Sequence, residues 1–65
     1  METRQIKVLF KYEEPITIGE HNVKAIRQTP RGIRFRTDNG PILKVVEHKE
    51  TWTEQELHNL LQNNS

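Results

Sequence analysis

The sequence contains no cysteine among its 65 residues. A chain without cysteine forms no disulfide and offers no thiolate ligand, which excludes a disulfide-stapled secreted scaffold and a cysteine-based metal or redox site. The longest apolar run is residues 8–10, and the pair at 45–46 is shorter still, whereas a membrane helix needs about 20 apolar residues. We therefore predict a cytoplasmic chain that has no membrane partner.

Residues that could supply catalysis or hold a metal are also scarce. The one serine is Ser65, and the three glycines are scattered rather than grouped in a phosphate-binding loop. His21, His48 and His58 show no pair at the short spacing of zinc ligands. The sequence therefore predicts a protein that is not an enzyme and that binds no metal and no cofactor.

Apolar residues make up only 32% of the chain, which has two Phe, one Tyr and one Trp. A chain of this length is close to the lower limit for a single core, and the net stability of such domains is often below about 5 kcal/mol. We expect one domain spanning residues 1–65, and a homodimer that shares apolar surface would add to its stability.

Alternation of apolar and polar residues predicts a mostly β protein. In the first stretch Ile6, Val8, Phe10 and Tyr12 are expected to share one face. Pro15 cannot donate a ladder hydrogen bond, so it is expected to separate the first two strands. The predicted strands lie at about 5–12, 16–18, 22–28, 32–37 and 42–47.

Two turns set the expected register. Residues 29–32 have proline in the second position and glycine in the fourth, which is typical of a type I turn. The Asn39-Gly40 pair is typical of a type I′ hairpin turn. Pro41 lacks the N–H that would close it, so the turn is expected to be open or the loop to be longer by a residue or two. With two-residue loops at 30–31 and 39–40, Arg27 is predicted to face Arg34 directly. Like charges opposite each other destabilise a sheet unless an acid or a ligand lies between them.

The segment after the strands predicts a helix at about 53–62. Thr53 and Glu56 have the spacing of a capping box, and Trp52 before the cap can pack on Leu57. Leucines at 57, 60 and 61 form a narrow apolar stripe that must lie on the sheet.

Charge is uneven along the chain. Residues 22–44 carry a net charge of +5, whereas residues 1–21 carry −1 and residues 45–65 carry −3. The expected register places several cations on one side of the sheet or at its rim, which favours binding of a polyanion. The alternative is that these charges only keep the sheet solvated. The candidate basic face consists of Lys24, Arg27, Arg31, Arg34 and Arg36.

The same register places Val23, Leu43 and Val45 outside the core, as a candidate apolar interface. The predicted fold class is mainly β (α+β), either a small antiparallel β-meander or an SH3-like open barrel, with four to five strands and one C-terminal helix. For function we predict a small regulatory module that acts through protein–protein interaction or as a homodimer. The alternative is a nucleic-acid-binding module that uses the basic face of the sheet.

Overall fold

The structure of the chain is a computed structural model, and it describes residues 6–63. The four strands form one antiparallel sheet in chain order, and a helix follows them. The predicted domain of residues 1–65 and the predicted first-strand start at residue 5 extend outside the described residues. The elements are β1 (Lys7–Ile18), β2 (His21–Thr29), β3 (Gly32–Thr37), β4 (Gly40–Lys44) and α1 (Glu54–Gln62).

The prediction of a mostly β protein with an antiparallel meander and a C-terminal helix is confirmed. The SH3-like barrel is wrong, because a barrel requires its first and last strands to pair. Among residues 6–63, β1 pairs with β2 and β4 pairs with β3, so both keep a free edge. The sheet therefore has two separate faces, and α1 packs on one of them.

Strand β1 runs through Pro15 without a break, in place of the two strands predicted at 5–12 and 16–18. Its pairing with β2 is irregular between Lys11 and Ile16, where four residues of β1 face one residue of β2. Proline is tolerated because β1 is an edge strand whose outer side needs no ladder donor. The last strand also differs from its prediction, because β4 ends at Lys44 and residues 45–49 have no regular structure.

A second irregularity in β1 changes which side chains share a face. The register shifts between Val8 and Phe10, so Val8 lies opposite Arg27 and Phe10 lies opposite Ile26. A bulge adds one residue and so moves the side chains before it to the other face of the strand. The prediction that Val8 shares a face with Phe10 is therefore wrong, while Phe10 and Tyr12 do lie together with their rings 6.4 Å apart.

The turn between β2 and β3 is closed by a threonine and a glycine. The hydroxyl of Thr29 accepts a hydrogen bond from the Arg31 amide at 3.2 Å and donates to the carbonyl of Gly32 at 3.0 Å. Gly32 has a φ of +150°, and a Cβ there would collide with the carbonyl oxygen of Lys44. The two-residue loop at Pro30 and Arg31 is as predicted, and it places Arg27 opposite Arg34.

The turn between β3 and β4 repeats this construction. The hydroxyl of Thr37 accepts from the Asn39 amide at 3.2 Å and donates to the carbonyl of Gly40 at 2.6 Å. Thr37 pairs with Gly40, so the loop consists of Asp38 and Asn39 rather than Asn39 and Gly40. Neither loop residue has a positive φ, so the predicted type I′ turn is wrong. Moving the loop by one residue shifts each pairing of β3 with β4 by two residues, which leaves the side chains of β4 on their predicted faces.

The core lies between the sheet and α1. Strand residues supply most of it, and Leu57 and Leu61 of α1 complete it with exposed fractions of 0% and 1%. Phe35 is fully buried at its centre, where it pairs with Ile26 on one side and Ile42 on the other. The buried core cluster is Ile18, Val23, Ile26, Ile33, Phe35, Leu57 and Leu61.

The start of α1 is fixed by the predicted capping box. Thr53 accepts a hydrogen bond from the Glu56 amide at 3.1 Å, and the Glu56 carboxylate accepts one from the Thr53 amide at 3.0 Å. Trp52 packs against the core, and its indole N–H donates to the side-chain carbonyl of the buried Gln28 at 2.6 Å. This bond joins the segment before the helix to β2.

Candidate functional site

The face of the sheet away from α1 carries three rows of cross-strand neighbours, of which one is the pair Thr17 and Asn22 and the other two contain cations. In an antiparallel sheet, residues directly opposite each other project on the same face. The pairings therefore place one row along Val8, Arg27, Arg34 and Leu43 and the next along Lys11, Ala25, Arg36 and Pro41. We call the eight residues of these two rows the open face.

Three arginines lie together at the centre of the open face. Arg27 and Arg34 are direct cross-strand neighbours, and Arg36 follows Arg34 by two residues along β3. They line a shallow cavity of about 340 Å³ together with Thr37 and Pro41. Three guanidinium groups around one depression can together hold an anionic oxygen group, because each offers several donors in a rigid plane.

The cations of the open face have no carboxylate partner within the described residues. The ion pairs of residues 6–63 are Lys49 with Glu56 and His58 with Glu54, and neither involves the open face. The Nε atom of Arg27 is also buried with no hydrogen-bond partner in that part of the chain. The face therefore concentrates positive charge that the described residues do not neutralise.

No acidic residue of the described chain forms an ion pair with the arginines of this face. Asp38, at the β3–β4 turn, accepts a hydrogen bond from the side-chain amide of Asn22 at 3.2 Å, and the Asn22 carbonyl accepts one from Thr17 at 3.0 Å. Glu47 lies beyond the end of β4, so it cannot act as a diagonal cross-strand partner within the sheet. The local balance of charge on the open face is thus strongly positive.

The structure brings together only part of the predicted basic set. Arg27, Arg34 and Arg36 share the open face as expected from the register. Lys24 is exposed at the point where the pairing of β2 with β3 shifts, beyond the Ala25 row. Arg31 is exposed in the turn at the opposite end of β2. These two cations border the face at its two ends rather than lying in its rows.

The predicted apolar interface is divided by the structure. Val23 is fully buried, because the register shift between Val23 and Ala25 turns its side chain into the core opposite Thr37. Its assignment to an exposed interface is therefore wrong. Leu43 is exposed by 40% on the open face, and Val45 is exposed by 79% just after β4. These two residues remain candidates for contact with a partner.

Sequence reasoning missed Lys11 and Val8 as members of the open face. Both residues lie opposite β2 positions of this face, but the bulge between them breaks the alternation that would have shown it. Strict alternation assigns Val8 and Lys11 to opposite faces, because they are three residues apart. No signal in the sequence marks this bulge.

The helix side of the molecule has a different electrostatic character. The phenol of Tyr12 donates to the Glu54 carboxylate at 3.0 Å. Burial, followed by this hydrogen bond and the negative charge of Glu54, raises the pKa of Tyr12 to about 12. The hydrogen bond from Lys49 and the one from the Thr53 backbone lower the pKa of Glu56. Glu54, Glu56 and Lys49 on this side are therefore paired with groups of the same molecule.

A larger depression of about 640 Å³ lies at one end of the sheet, lined by Lys7, residues 28–30, His48, Glu50 and Thr51. The residues that line this depression do not include several unpaired charges of the same sign. Its lysine is engaged, because Lys7 Nζ donates to the Glu50 carbonyl at 3.1 Å. We therefore take the open face, and not this depression, as the candidate site.

Within residues 6–63, no group of three or more His, Asp or Glu side chains is placed to hold a metal ion. In the same part of the chain, no helix has the length and apolar character needed to cross a membrane. Comparison of the chain with protein-family models, with curated proteins and with solved structures finds no match.

Proposed function

We propose that the protein is a non-catalytic binding module whose open face binds the phosphate backbone of a nucleic acid. The observation that carries the proposal is the group of Lys11 and three arginines, none of which pairs with a carboxylate among residues 6–63. Cations held together on an open surface attract a polyanion, and binding is favoured further by release of the polyanion's counterions.

The arrangement of Arg27 opposite Arg34 supports a bound anion. Like charges directly opposite each other destabilise a sheet, and no acid of the described residues relieves this pair. A phosphate between the two guanidiniums would turn the repulsion into attraction, because each guanidinium can donate two hydrogen bonds to it.

The distribution of apolar residues favours a nucleic acid over a protein on this face. Protein–protein interfaces have an apolar centre and a polar rim. The row through Arg27 and Arg34 has the reverse order, with charge at its centre and Val8 and Leu43 on the two edge strands. Interfaces with DNA are much more positively charged than interfaces between proteins. Two copies of the chain would also repel each other if these faces met.

Fluorescence anisotropy with labelled mixed-sequence oligonucleotides tests the proposal. Replacing Arg34 and Arg36 by glutamine removes two charged donors, and each hydrogen bond to a charged group contributes about 1.5–3 kcal/mol. We expect the double variant to bind at least about tenfold more weakly than the parent, since 1.4 kcal/mol is a factor of ten. Circular dichroism would show that the variant keeps the fold.

The matched control is the pair Lys44→Gln and Lys49→Gln, which changes the net charge equally. Lys44 lies opposite Ile33 on the core side of the sheet, and Lys49 pairs with Glu56. This control should bind like the parent. Equal loss in both double variants would contradict a localised site. Tighter binding of polyglutamate than of any oligonucleotide would replace the nucleic acid by an acidic protein as the partner.

A cytoplasmic location is part of this proposal. A nucleic-acid partner requires that the protein shares a compartment with DNA or RNA, and a chain without cysteine needs no oxidising compartment in order to fold. Fractionation of cells that express the tagged protein would test the location.

A second candidate function is protein docking or self-association at the β4 edge. The observation that favours it is the exposure of Leu43 and Val45 beside a strand whose outer edge is unpaired among residues 6–63. An exposed strand edge is a template for an added strand. Light scattering at low and high salt would detect a salt-insensitive dimer, and Val45→Asp should convert that dimer to a monomer. A parent that is monomeric at both salt concentrations would contradict self-association.

A further inference from the structure

We infer that the open face binds duplex nucleic acid through its phosphates and without reading the bases. This inference rests on the proposed function and specifies its ligand. It follows from what the open face contains, four cations in two rows, and from where the aromatic rings of the chain lie.

All four aromatic rings of the chain lie on the side of the sheet that faces α1. The chain has two Phe, one Tyr and one Trp. Phe35 is fully buried, and Phe10, Tyr12 and Trp52 pack against the core cluster. Proteins that prefer single strands stack the bases on exposed rings and gain affinity from each stacked base. The open face has no ring, so a single strand would be held by its charges alone.

The four cations are spread both along the strands and across the sheet. Adjacent strands are about 4.8 Å apart, so the backbones of Arg27 and Arg34 are neighbours, while Lys11 and Arg36 stand about 10 Å apart across β2. The two rows are separated by about 7 Å along the strands. A duplex presents one charge per about 1.7 Å of its axis, and one strand presents half that density. A patch of closely spaced cations therefore gains more from a duplex.

The uncharged side chains of the two cationic rows offer no hydrogen bond to a base edge, and those of the third row, Thr17 and Asn22, are hydrogen-bonded to each other and to Asp38. The row of Lys11 and Arg36 also contains Ala25, which is 3% exposed, and Pro41. Neither side chain can donate to or accept from a base edge. The remaining members of the face, Val8 and Leu43, are apolar. Arginine and lysine that meet phosphates fix position on a duplex but carry no sequence information.

The experiment compares a labelled duplex with each of its single strands by anisotropy, for two sequences of different base composition. Four phosphate contacts predict a slope of log K against log salt of about −3.6 for a duplex. We expect the duplex to bind at least about tenfold more tightly than either single strand at 50 mM salt, with the two duplex sequences within about threefold of each other.

The variant Lys11→Gln tests this inference separately from the proposed function. The variants that test the proposed function leave Lys11 unchanged. Lys11→Gln should lower the magnitude of the duplex slope by about 0.9, which is one phosphate contact. Lys44→Gln, on the core side of the sheet, should leave the slope unchanged. Tighter binding of a single strand, or a preference between the two duplexes above about tenfold, would overturn the inference and leave the proposed function standing. Absence of binding to every oligonucleotide would overturn both.

Discussion

The face of the sheet under α1 and the open face are built from alternate residues of the same strands, and they differ in almost every other respect. Under α1, Phe35 and its neighbours are fully buried, and the buried amide of Gln28 is joined to Trp52. On the open face, Arg27 and Arg34 lie opposite each other with no acid of the described residues between them. One face therefore stabilises the fold, and the other holds unfavourable charge that a ligand can relieve.

The comparison of the two faces shows how few apolar side chains such a small protein has available for binding a partner. Nearly all large apolar side chains are used under the helix, and the exceptions lie at edges of the sheet, at Ile6, Val8, Leu43 and Val45. A module with so few apolar residues left over can obtain affinity from charge, because charged side chains need no core to support them. Substitutions on each face test whether one face stabilises the fold and the other serves binding.

The largest expected effect is on the covered face. Phe35→Ala should lower the free energy of unfolding by about 3–5 kcal/mol, because it removes the central buried ring and leaves a cavity. Arg36→Ala, at the next residue of β3 but exposed on the open face, should change it by less than about 0.5 kcal/mol. Urea denaturation followed by circular dichroism measures both. Equal losses would mean that the two faces contribute alike to stability.

A smaller loss is expected from Trp52→Phe. The substitution keeps an aromatic ring but removes the donor to the Gln28 carbonyl, which should cost about 1–3 kcal/mol because Gln28 is buried. Adding Gln28→Leu removes the acceptor as well and should recover most of the loss. The same denaturation measurement applies. No recovery in the double variant would show that the ring packing, rather than the hydrogen bond, accounts for the loss.

On the open face we expect a substitution to increase stability. Arg27→Gln removes one of two opposed positive charges and should raise the free energy of unfolding by about 0.2–1 kcal/mol. The gain should shrink with added salt, which screens exposed charges. Arg31→Gln, in the turn and without a cross-strand cation, should show no such gain. A loss of stability in Arg27→Gln would mean that packing of the arginine stem outweighs the repulsion.

The last expected effect is confined to alkaline pH. The pKa of Tyr12 is raised from 10.0 to about 12 in the folded protein, so the unfolded chain loses the phenol proton first. The stability that protonated Tyr12 contributes is therefore complete below pH 10 and is lost as the pH rises from 10 to about 12. Because Tyr12 is the one tyrosine of the chain, its absorbance titration reports this pKa directly. Titration near pH 10 would contradict the burial of the phenol together with its hydrogen bond to Glu54, and Tyr12→Phe should remove this part of the pH dependence.

Sequence reasoning predicted the parts of the site that depend on one short loop. The turn at residues 29–32 has a two-residue loop, as expected from its proline and glycine. That loop length alone places Arg27 opposite Arg34, and it determines the pairing of β2 with β3 from the turn as far as Ala25. The predictions failed at Val23 and Val8, which lie next to register shifts. A bulge depends on how two distant strands fit together, so a single strand's alternation cannot reveal it.

The sequence by itself determined helix α1 and the β2–β3 hairpin, which carries Arg27 and Arg34. The capping box of Thr53 and Glu56 and the two-residue loop involve residues at most three apart, so their physical cause is local. Only the tertiary structure decided that the sheet stays open, that Val23 enters the core, and that Lys11 joins the arginines. Each of these outcomes depends on contacts between separate strands, whose register is set by the fit of the whole sheet against α1.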